Sequence, residues 1–233
     1  MNLPEAEIMS VTEDIAKLRN ATKSFDGINE RNRWGFYGSE IESYISSFST
    51  VLPVDLLEFF REKQSPVIID LMAHTGSIRN LCNRTGIVPK IAVSVSLQDQ
   101  RTKGEKDADA NLNIYQLAGN LLNFETWRKL SAMLSEQKAD LIMERAVLGL
   151  IHIPGSKKFY NLALRGLWNI LDENEGLLLL QTHNIQQLQK TGVNLINWVK
   201  EVEKCGVTVN LDAKKRALML QKHPNSSIDL PKF

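Results

Sequence analysis

The sequence predicts an α/β fold, a doubly wound and mostly parallel seven-stranded sheet with a C-terminal antiparallel hairpin and an N-terminal helical extension. After Pro66, short apolar runs rich in β-branched residues alternate with helical stretches, as in a parallel sheet covered by helices. Near the C-terminus two β-like runs lie too close together for a crossover helix. The chain has 233 residues, 43% of them hydrophobic, which is enough for one such domain with a helical cap.

Residues 1–64 are predicted to form a helical extension that caps the sheet domain of residues 65–233. Its helices follow from apolar residues at helical spacing, from a Ser39 cap before the second helix and from Pro53 in the first turn of the third. Pro66 then separates the extension from the first strand. The predicted helices cover residues 5–24, 39–49 and 53–63.

The strands are predicted from short apolar runs, and the first of them, VIIDLM, follows Pro66 directly. The charged KKR segment is predicted to form the turn of the C-terminal hairpin, whose strands lie in VTVNLDA and ALMLQKH. The polar stretch of residues 98–113 is predicted to be a long loop or a poorly formed helix. The strands between are predicted over residues 91–97, 114–117, 140–143 and 176–182.

The charge balance argues against a bulk attraction to nucleic acid or to an anionic membrane. Lys and Arg number 28 and Asp and Glu 27, so the formal charge is +1. The two cysteines are far apart and lack the paired spacing of zinc sites, so no metal is expected. The acidic, amphipathic N-terminus lacks the features of a secretory signal. We therefore expect a cytoplasmic protein that acts on a small molecule.

The segment IIDLMAHTGSIRNL carries a resemblance to a known family. An acidic residue, Asp70, ends the first strand, and a turn containing Gly76 opens a helix. Over residues 66–223 the order of elements resembles the Rossmann-like class I S-adenosylmethionine-dependent methyltransferases, whose glycine-rich loop stands at this place. Met72 and His74 occupy positions where that family usually has glycines. The resemblance implies S-adenosylmethionine as the cofactor.

The resemblance also implies a set of cofactor contacts. Ser96 stands where the family's ribose-binding acid usually is, and Asp99 is a possible substitute. Asn120 stands where an amide meets the adenine. Arg33, in RNRWGFYGSE, is suited to the methionine carboxylate and the neighbouring aromatics to the sulfonium. Each of these also has a plain structural alternative, such as a turn or a cap. The candidate cofactor-binding residues are Arg33, Trp34, Tyr37, Asp70, Ala73, His74, Gly76, Ser96, Asp99, Gly119 and Asn120.

Candidate catalytic residues follow the fourth strand, where the family's reacting groups gather. They are Glu144, Arg145 and His152, with Glu144 as a base for the attacking acceptor; an alternative is a surface ion pair between Glu144 and Arg145. The sequence thus predicts a methyltransferase with a small-molecule acceptor. Two alternatives stay open: a non-catalytic binding or scaffold protein with the same fold, and an enzyme using S-adenosylmethionine for another alkyl transfer or a cyclisation. A dinucleotide-dependent oxidoreductase is disfavoured because no glycine triplet follows the first strand.

Overall fold

The computed structural model describes residues 4–21, 40–145, 156–182, 192–214 and 216–233. One seven-stranded sheet runs through them in the order β3-β2-β1-β4-β5-β7-β6. Strands β1 to β5 are parallel, and β7 pairs antiparallel with both β5 and β6. The predicted α/β class, the seven strands and the C-terminal hairpin are confirmed. The strands are β1 Val67–Leu71, β2 Ile91–Ser96, β3 Ile114–Ala118, β4 Leu141–Glu144, β5 Leu177–Gln181, β6 Thr208–Leu211 and β7 Ala217–Gln221.

Helices cover both faces of the sheet, as a doubly wound fold requires. Helices α2, α3 and α4 share one apolar core with one side of the strands, and α1, α6, α7 and α8 share the other. Neighbouring residues of β1 point into opposite cores, because side chains alternate along a strand. The described helices are α1 Glu5–Ala21, α2 Ile41–Phe48, α3 Leu56–Glu62, α4 Gly76–Thr85, α5 Lys103–Ala110, α6 Phe124–Leu134, α7 Lys157–Ile170 and α8 Leu195–Lys204.

The helices that precede residue 64 are packed into the same cores as the sheet. Val11 and Ile15 of α1 are buried among residues of α6 and α7, and Tyr44 and Phe48 of α2 are buried with α4. Because these side chains are fully part of the cores, their removal would expose the sheet to water. A division at residue 64, with a lid on its N-terminal side, remains a prediction.

Two helix starts and one polar stretch differ from the sequence prediction for local reasons. Helix α2 begins at Ile41 with Glu40, rather than Ser39, at its N-cap, and α3 begins at Leu56 because the side chain of Asp55 accepts from the amide of Leu57. Residues 98–113, predicted to be a long loop or a poorly formed helix, contain the well-formed helix α5. A reciprocal capping box between Thr102 and Glu105 starts that helix.

The carboxyl ends of β1, β2, β3 and β4 meet along one edge of the sheet. The register places Asp70 opposite Ser94, and Ser94 opposite Gln116, so three polar residues form a row across β1, β2 and β3. Ligands of open parallel sheets bind at this edge, and most candidate residues follow these four strands. No helix within the described ranges is long and apolar enough to cross a membrane.

Candidate functional site

The turn after β1 has the backbone of a glycine turn although a methionine occupies it. Met72 has a φ of 56°, in the left-handed region that costs an L-residue roughly 1 kcal/mol or more. Its side chain packs against the core that contains α6 and α7. The turn thus has the left-handed conformation that glycine adopts most easily. The side chain of Met72 is directed towards that core.

Helix α4 opens directly behind this turn without a side-chain cap. The hydroxyl of Thr75, at the N-cap, accepts from Arg79 Nη2 over 3.0 Å instead of capping the helix. Helix α2, with Glu40 at its N-cap, also lacks a side-chain cap, whereas Asp55, Thr102, Asn123, Ser156 and Asn194 each cap the helix that follows them. An uncapped N-terminus presents N–H groups and a partial positive charge, which suit an anionic group. Gly76 is its first residue, and His74 precedes it in the half-buried part of the turn.

Asp70 is fully buried and receives two hydrogen bonds from within the protein. The hydroxyl of Tyr44 donates to Oδ1 over 2.9 Å, and that of Ser77 donates to Oδ2 over 2.6 Å. Burial raises the pKa of Asp70 to about 7, against the lowering effects of the bonds from Ser77 and Tyr44 and of the Arg145 charge. Burial, and then the nearby Asp70, also raise the pKa of Tyr44. This carboxyl joins α2, β1 and α4 at the base of the turn.

The end of β2 is tied to β3 and to the turn by one amide side chain. Gln116 Nε2 lies 3.0 Å from the Ser94 carbonyl, 3.0 Å from Ser96 Oγ and 3.3 Å from the Ala73 carbonyl. The hydroxyl of Ser96 donates to the carbonyl of Gln98 over 2.7 Å. The amide of Ala73 donates to Val95, across to β2. Two proposed cofactor contacts, Ala73 and Ser96, are therefore already bonded within the protein.

Asp99 lies in an ion-pair network beyond β2. Arg101 donates to both of its carboxylate oxygens, from Nε over 2.9 Å and from Nη2 over 3.0 Å. The bond from Arg101 holds the pKa of Asp99 well below its usual range. Arg101 and Arg79 both bind the fully buried Asp109 of α5, which fixes this loop to α4 and α5. A ribose hydroxyl would have to compete with a bidentate arginine for Asp99.

Gly119 and Asn120 form the turn between β3 and α6. The side-chain oxygen of Asn120 accepts from the amide of Leu122 over 2.9 Å, and its carbonyl accepts from the Thr126 hydroxyl over 2.8 Å. This is the turn role that asparagine favours. The amide of Gly119 donates to the carbonyl of Ser96 over 2.8 Å, which joins the ends of β2 and β3.

Gly119→Ala is expected to destabilise the protein by about 1–3 kcal/mol, because overpacking displaces neighbouring groups. An added Cβ would stand 2.6 Å from both Cγ2 and Oγ1 of Thr126. Chemical denaturation measures the effect. Gly104→Ala in α5 is the matched control, since its Cβ would meet nothing within 4 Å, and it is expected to stabilise by up to about 1 kcal/mol. Equal denaturation midpoints for Gly119→Ala and wild type would contradict the close packing of Gly119 against Thr126.

Glu144 and Arg145 point to opposite faces of the sheet at the end of β4. Glu144 is fully buried, and its charge is the second cause, after burial, that raises the pKa of Tyr160 in α7. The half-buried Arg145 donates from Nη1 to the hydroxyl of Ser43 in α2, and its guanidinium lies 5.5 Å from the centre of the Tyr44 ring. The alternative of a surface ion pair between Glu144 and Arg145 is wrong, because Glu144 is not on the surface.

The strand order now identifies the architecture. Five parallel strands in the order β3-β2-β1-β4-β5 are followed by an antiparallel pair in which β7 lies inside β6. This is the class I methyltransferase fold. The fold assignment rests on this order and on the turn that joins β1 to α4.

The chain is similar, at low identity, to several solved structures. A methyltransferase from Geobacter sulfurreducens is 13% identical, with 95% of this chain and 91% of that chain covered and a TM-score of 0.46. An O-methyltransferase from Bacillus cereus, in complex with S-adenosylhomocysteine, is 9% identical, with 91% of each chain covered and a TM-score of 0.47. TrmN from Thermus thermophilus is 17% identical over 71% of this chain, with a TM-score of 0.43, and the match spans 47% of its length. No family model and no curated protein matches the sequence. Likenesses this distant carry no argument about activity.

Four candidate residues lie outside the described residues: Arg33, Trp34, Tyr37 and His152. Their assignment to the sulfonium, to the methionine carboxylate and to the acceptor stays a prediction. The candidate residues that the structure describes follow strands β1, β2, β3 and β4 of the methyltransferase fold. The structure brings Asp70, Ala73 and Ser96 into one hydrogen-bonded region around the turn, while Asp99 faces Arg101 and Glu144 faces α7.

Three residues that organise the turn, Tyr44, Ser77 and Gln116, were not predicted from the sequence. Ser77 lies in the first turn of a predicted helix, directly after the motif, so its place offered a signal. Gln116 is a polar residue inside a strand run, which is unusual enough to have marked it. Tyr44 offered no signal, because an aromatic residue on the apolar face of a helix is typical of a core position.

Proposed function

We propose that this chain is an S-adenosylmethionine-dependent methyltransferase with a small-molecule acceptor. The observation that carries the proposal is the open N-terminus of α4 behind the left-handed turn at Met72. A helix start without a side-chain cap is suited to the cofactor's carboxylate, and the left-handed turn allows a close backbone approach. Asp70 supports this region from below through Tyr44 and Ser77.

The residues around the turn fit the cofactor in part. The start of α4 would hold the methionine carboxylate, and the ends of β2 and β3 would lie under the ribose and the adenine. The bound cofactor supplies an electrophilic methyl group. Glu144, buried at the end of β4, would take the proton that an acceptor hydroxyl or amine loses. Its carboxyl lies on the α7 side of β4, opposite Arg145, so an acceptor would reach it only across the carboxyl edge of the sheet.

Calorimetric titration of the full chain with S-adenosylhomocysteine tests the proposal. We expect measurable heat and a rise in melting temperature, since a ligand that binds only the native state stabilises it by about 2.7 kcal/mol at a hundred times its dissociation constant. The matched ligand 5′-methylthioadenosine lacks the carboxylate, and it should bind at least about tenfold more weakly if the start of α4 holds that group. Absence of both heat and a melting shift would refute the cofactor assignment.

A second candidate function is a non-catalytic binding or scaffold protein that keeps the fold. One observation favours it: Ser96, Asp99 and Asn120, at the positions for the ribose and the adenine, are all hydrogen-bonded within their own loops or to β3. A ligand would have to replace these bonds, which lowers its net gain. The same titration separates the candidates, because this one predicts no response to either nucleoside. Use of the cofactor for another alkyl transfer or a cyclisation would give the same binding result, and only analysis of a product distinguishes it.

A further inference from the structure

Arg145 is a half-buried cation at the carboxyl edge of the sheet, directly after β4. The hydroxyl of Ser43 accepts one hydrogen bond from Nη1, and the ring of Tyr44 lies 5.5 Å from the guanidinium carbon. Both contacts come from α2, so they fix the direction of the side chain. A guanidinium has five N–H donors in a planar fork. Among the described residues, Ser43 uses one of these donors and the aromatic ring uses none.

Within the described residues, Arg145 has no carboxylate in ion-pair contact. Arg61 and Arg216 also have none there but are exposed, whereas the other described arginines with side-chain contacts are paired with a carboxylate: Arg79, Arg84, Arg101, Arg128 and Arg165. The neighbouring Glu144 faces α7 on the other side of the sheet. Asp70 is near enough to feel the charge, but its two oxygens accept from Tyr44 and Ser77. A partly desolvated guanidinium without a carboxylate partner favours binding of an anion.

The place of Arg145 in the strand order indicates which anion this is. The proposed function assigns the adenine, the ribose and the methionine carboxylate to β3, β2 and the β1 turn. Across the sheet, β4 follows β1 on the side away from β2 and β3. Arg145 at the end of β4 therefore lies beyond the cofactor's methionine end, where an acceptor must approach the methyl group. The proposed function assigns the cofactor carboxylate to the start of α4. In the part of the chain that the structure describes, the two contacts from α2 leave N–H donors of Arg145 for a group on the acceptor.

We propose that Arg145 binds an oxyanion, a carboxylate or a phosphate, of the acceptor, so that the acceptor is an anionic small molecule. The assignment to the acceptor rests on the proposed methyltransferase function. Anion binding at Arg145 does not rest on it, because the cation and its surroundings belong to the chain itself. A planar fork fits a carboxylate or a phosphate through two parallel hydrogen bonds.

The test uses the full chain, with inorganic phosphate and acetate as probes and chloride at matched ionic strength as the reference. Phosphate or acetate is expected to raise the melting temperature of wild type, and the apparent affinity for that anion should fall at least about tenfold in Arg145→Gln. The matched control is Arg84→Gln, because Arg84 also contacts α2 but already pairs with Glu42. It should keep the full response. Arg145→Lys should retain a weaker response to the anion.

A parallel titration with S-adenosylhomocysteine separates the acceptor from the cofactor. Arg145→Gln is expected to leave that affinity unchanged. If it weakens S-adenosylhomocysteine but not 5′-methylthioadenosine, Arg145 binds the cofactor carboxylate and the acceptor assignment is overturned. Failure of wild type to bind either nucleoside would overturn the proposed function and, with it, the assignment to the acceptor, and the anion response would still decide whether Arg145 is an anion site.

Loss of the α2 contact is controlled by Ser43→Ala, which removes the hydrogen-bond partner that Arg145 has among the described residues and keeps the cation. This variant should keep the response to phosphate or acetate even if Arg145→Gln unfolds. An anion response that disappears in Ser43→Ala, that persists in Arg145→Gln or that is absent from wild type overturns the proposal.

Discussion

Replacement of Asp70 by alanine is expected to lower the free energy of unfolding by about 3 kcal/mol at pH 5. The side chain is fully buried, and the substitution removes the shared acceptor of the Tyr44 and Ser77 hydroxyls, of which Ser77 keeps a 3.3 Å contact with the carbonyl of His74. A buried polar group that loses its hydrogen bond costs about 1–3 kcal/mol. Because Asp70 joins α2 and α4 to the turn, we also expect the variant to bind S-adenosylhomocysteine at least about tenfold more weakly. Urea denaturation and calorimetry measure the two effects.

The matched control for Asp70→Ala is Ser94→Ala. Ser94 is the neighbour of Asp70 on β2 and is equally buried, but within the described part of the chain its hydroxyl has no hydrogen-bond partner. Its removal leaves no polar group unsatisfied, so the change in stability should be within about 1 kcal/mol of zero. The loss of stability in Tyr44→Phe should lie between the losses in Asp70→Ala and Ser94→Ala. Similar losses in Asp70→Ala and Ser94→Ala would show that burial alone, without the hydrogen bonds, determines the effect.

Stability is expected to fall as the pH rises from about 4 to about 7, because of Asp70. Its folded pKa is about 7 against an ordinary value of 3.8, so in this interval the native chain keeps a proton that the unfolded chain has released. The free energy of unfolding then falls with rising pH. Three pKa units at 1.36 kcal/mol each correspond to a total of about 4 kcal/mol. This contribution is fully present below pH 4 and lost by about pH 7.

Asp70→Asn isolates this contribution, since an amide does not titrate in that interval. Subtracting the urea-denaturation profile of the variant from that of wild type should leave a slope between pH 4 and 7 and a plateau above it. Asp99 affects stability in a different pH interval. Its folded pKa is lowered, so its contribution to stability is present above pH 3.8, the unfolded pKa, and is lost as the pH falls below that value. Parallel profiles for wild type and Asp70→Asn would show that Asp70 is ionised in the native state throughout.

Most of the strand arrangement could be predicted because parallel strands are buried on both faces and carry a strong local pattern. VIIDLM, for example, is apolar at nearly every position, and its residues pack into both cores. Helix α5 was predicted only as a long loop or a poorly formed helix because its sequence, KGEKDADA, has almost no apolar face. Its start depends on the capping box of Thr102 and Glu105, and its single buried residue is Asp109, paired with two arginines. Such a helix is stabilised by polar contacts that a hydrophobic pattern does not show.

The candidate site shows the same limit at particular residues. The motif located Asp70 and the turn, but the partners of Asp70 were not predictable. Tyr44 lies 26 residues earlier in the chain and reads as an ordinary core residue of an amphipathic helix. Likewise, the pairing of Asp99 with Arg101 and the turn role of Asn120 depend on side-chain directions, which spacing does not fix.

By itself the sequence determined the alternation of strands and helices, the C-terminal hairpin and the position of the β1 turn, since these follow from local hydrophobic periodicity and turn chemistry. Only the tertiary structure decided that Asp70 is bound by Tyr44 and Ser77, that Met72 keeps a left-handed turn, and that Glu144 and Arg145 face opposite sides of the sheet. The physical reason is that hydrogen bonds and burial depend on which groups meet across the fold, and distant groups meet only after the sheet and its helices have packed.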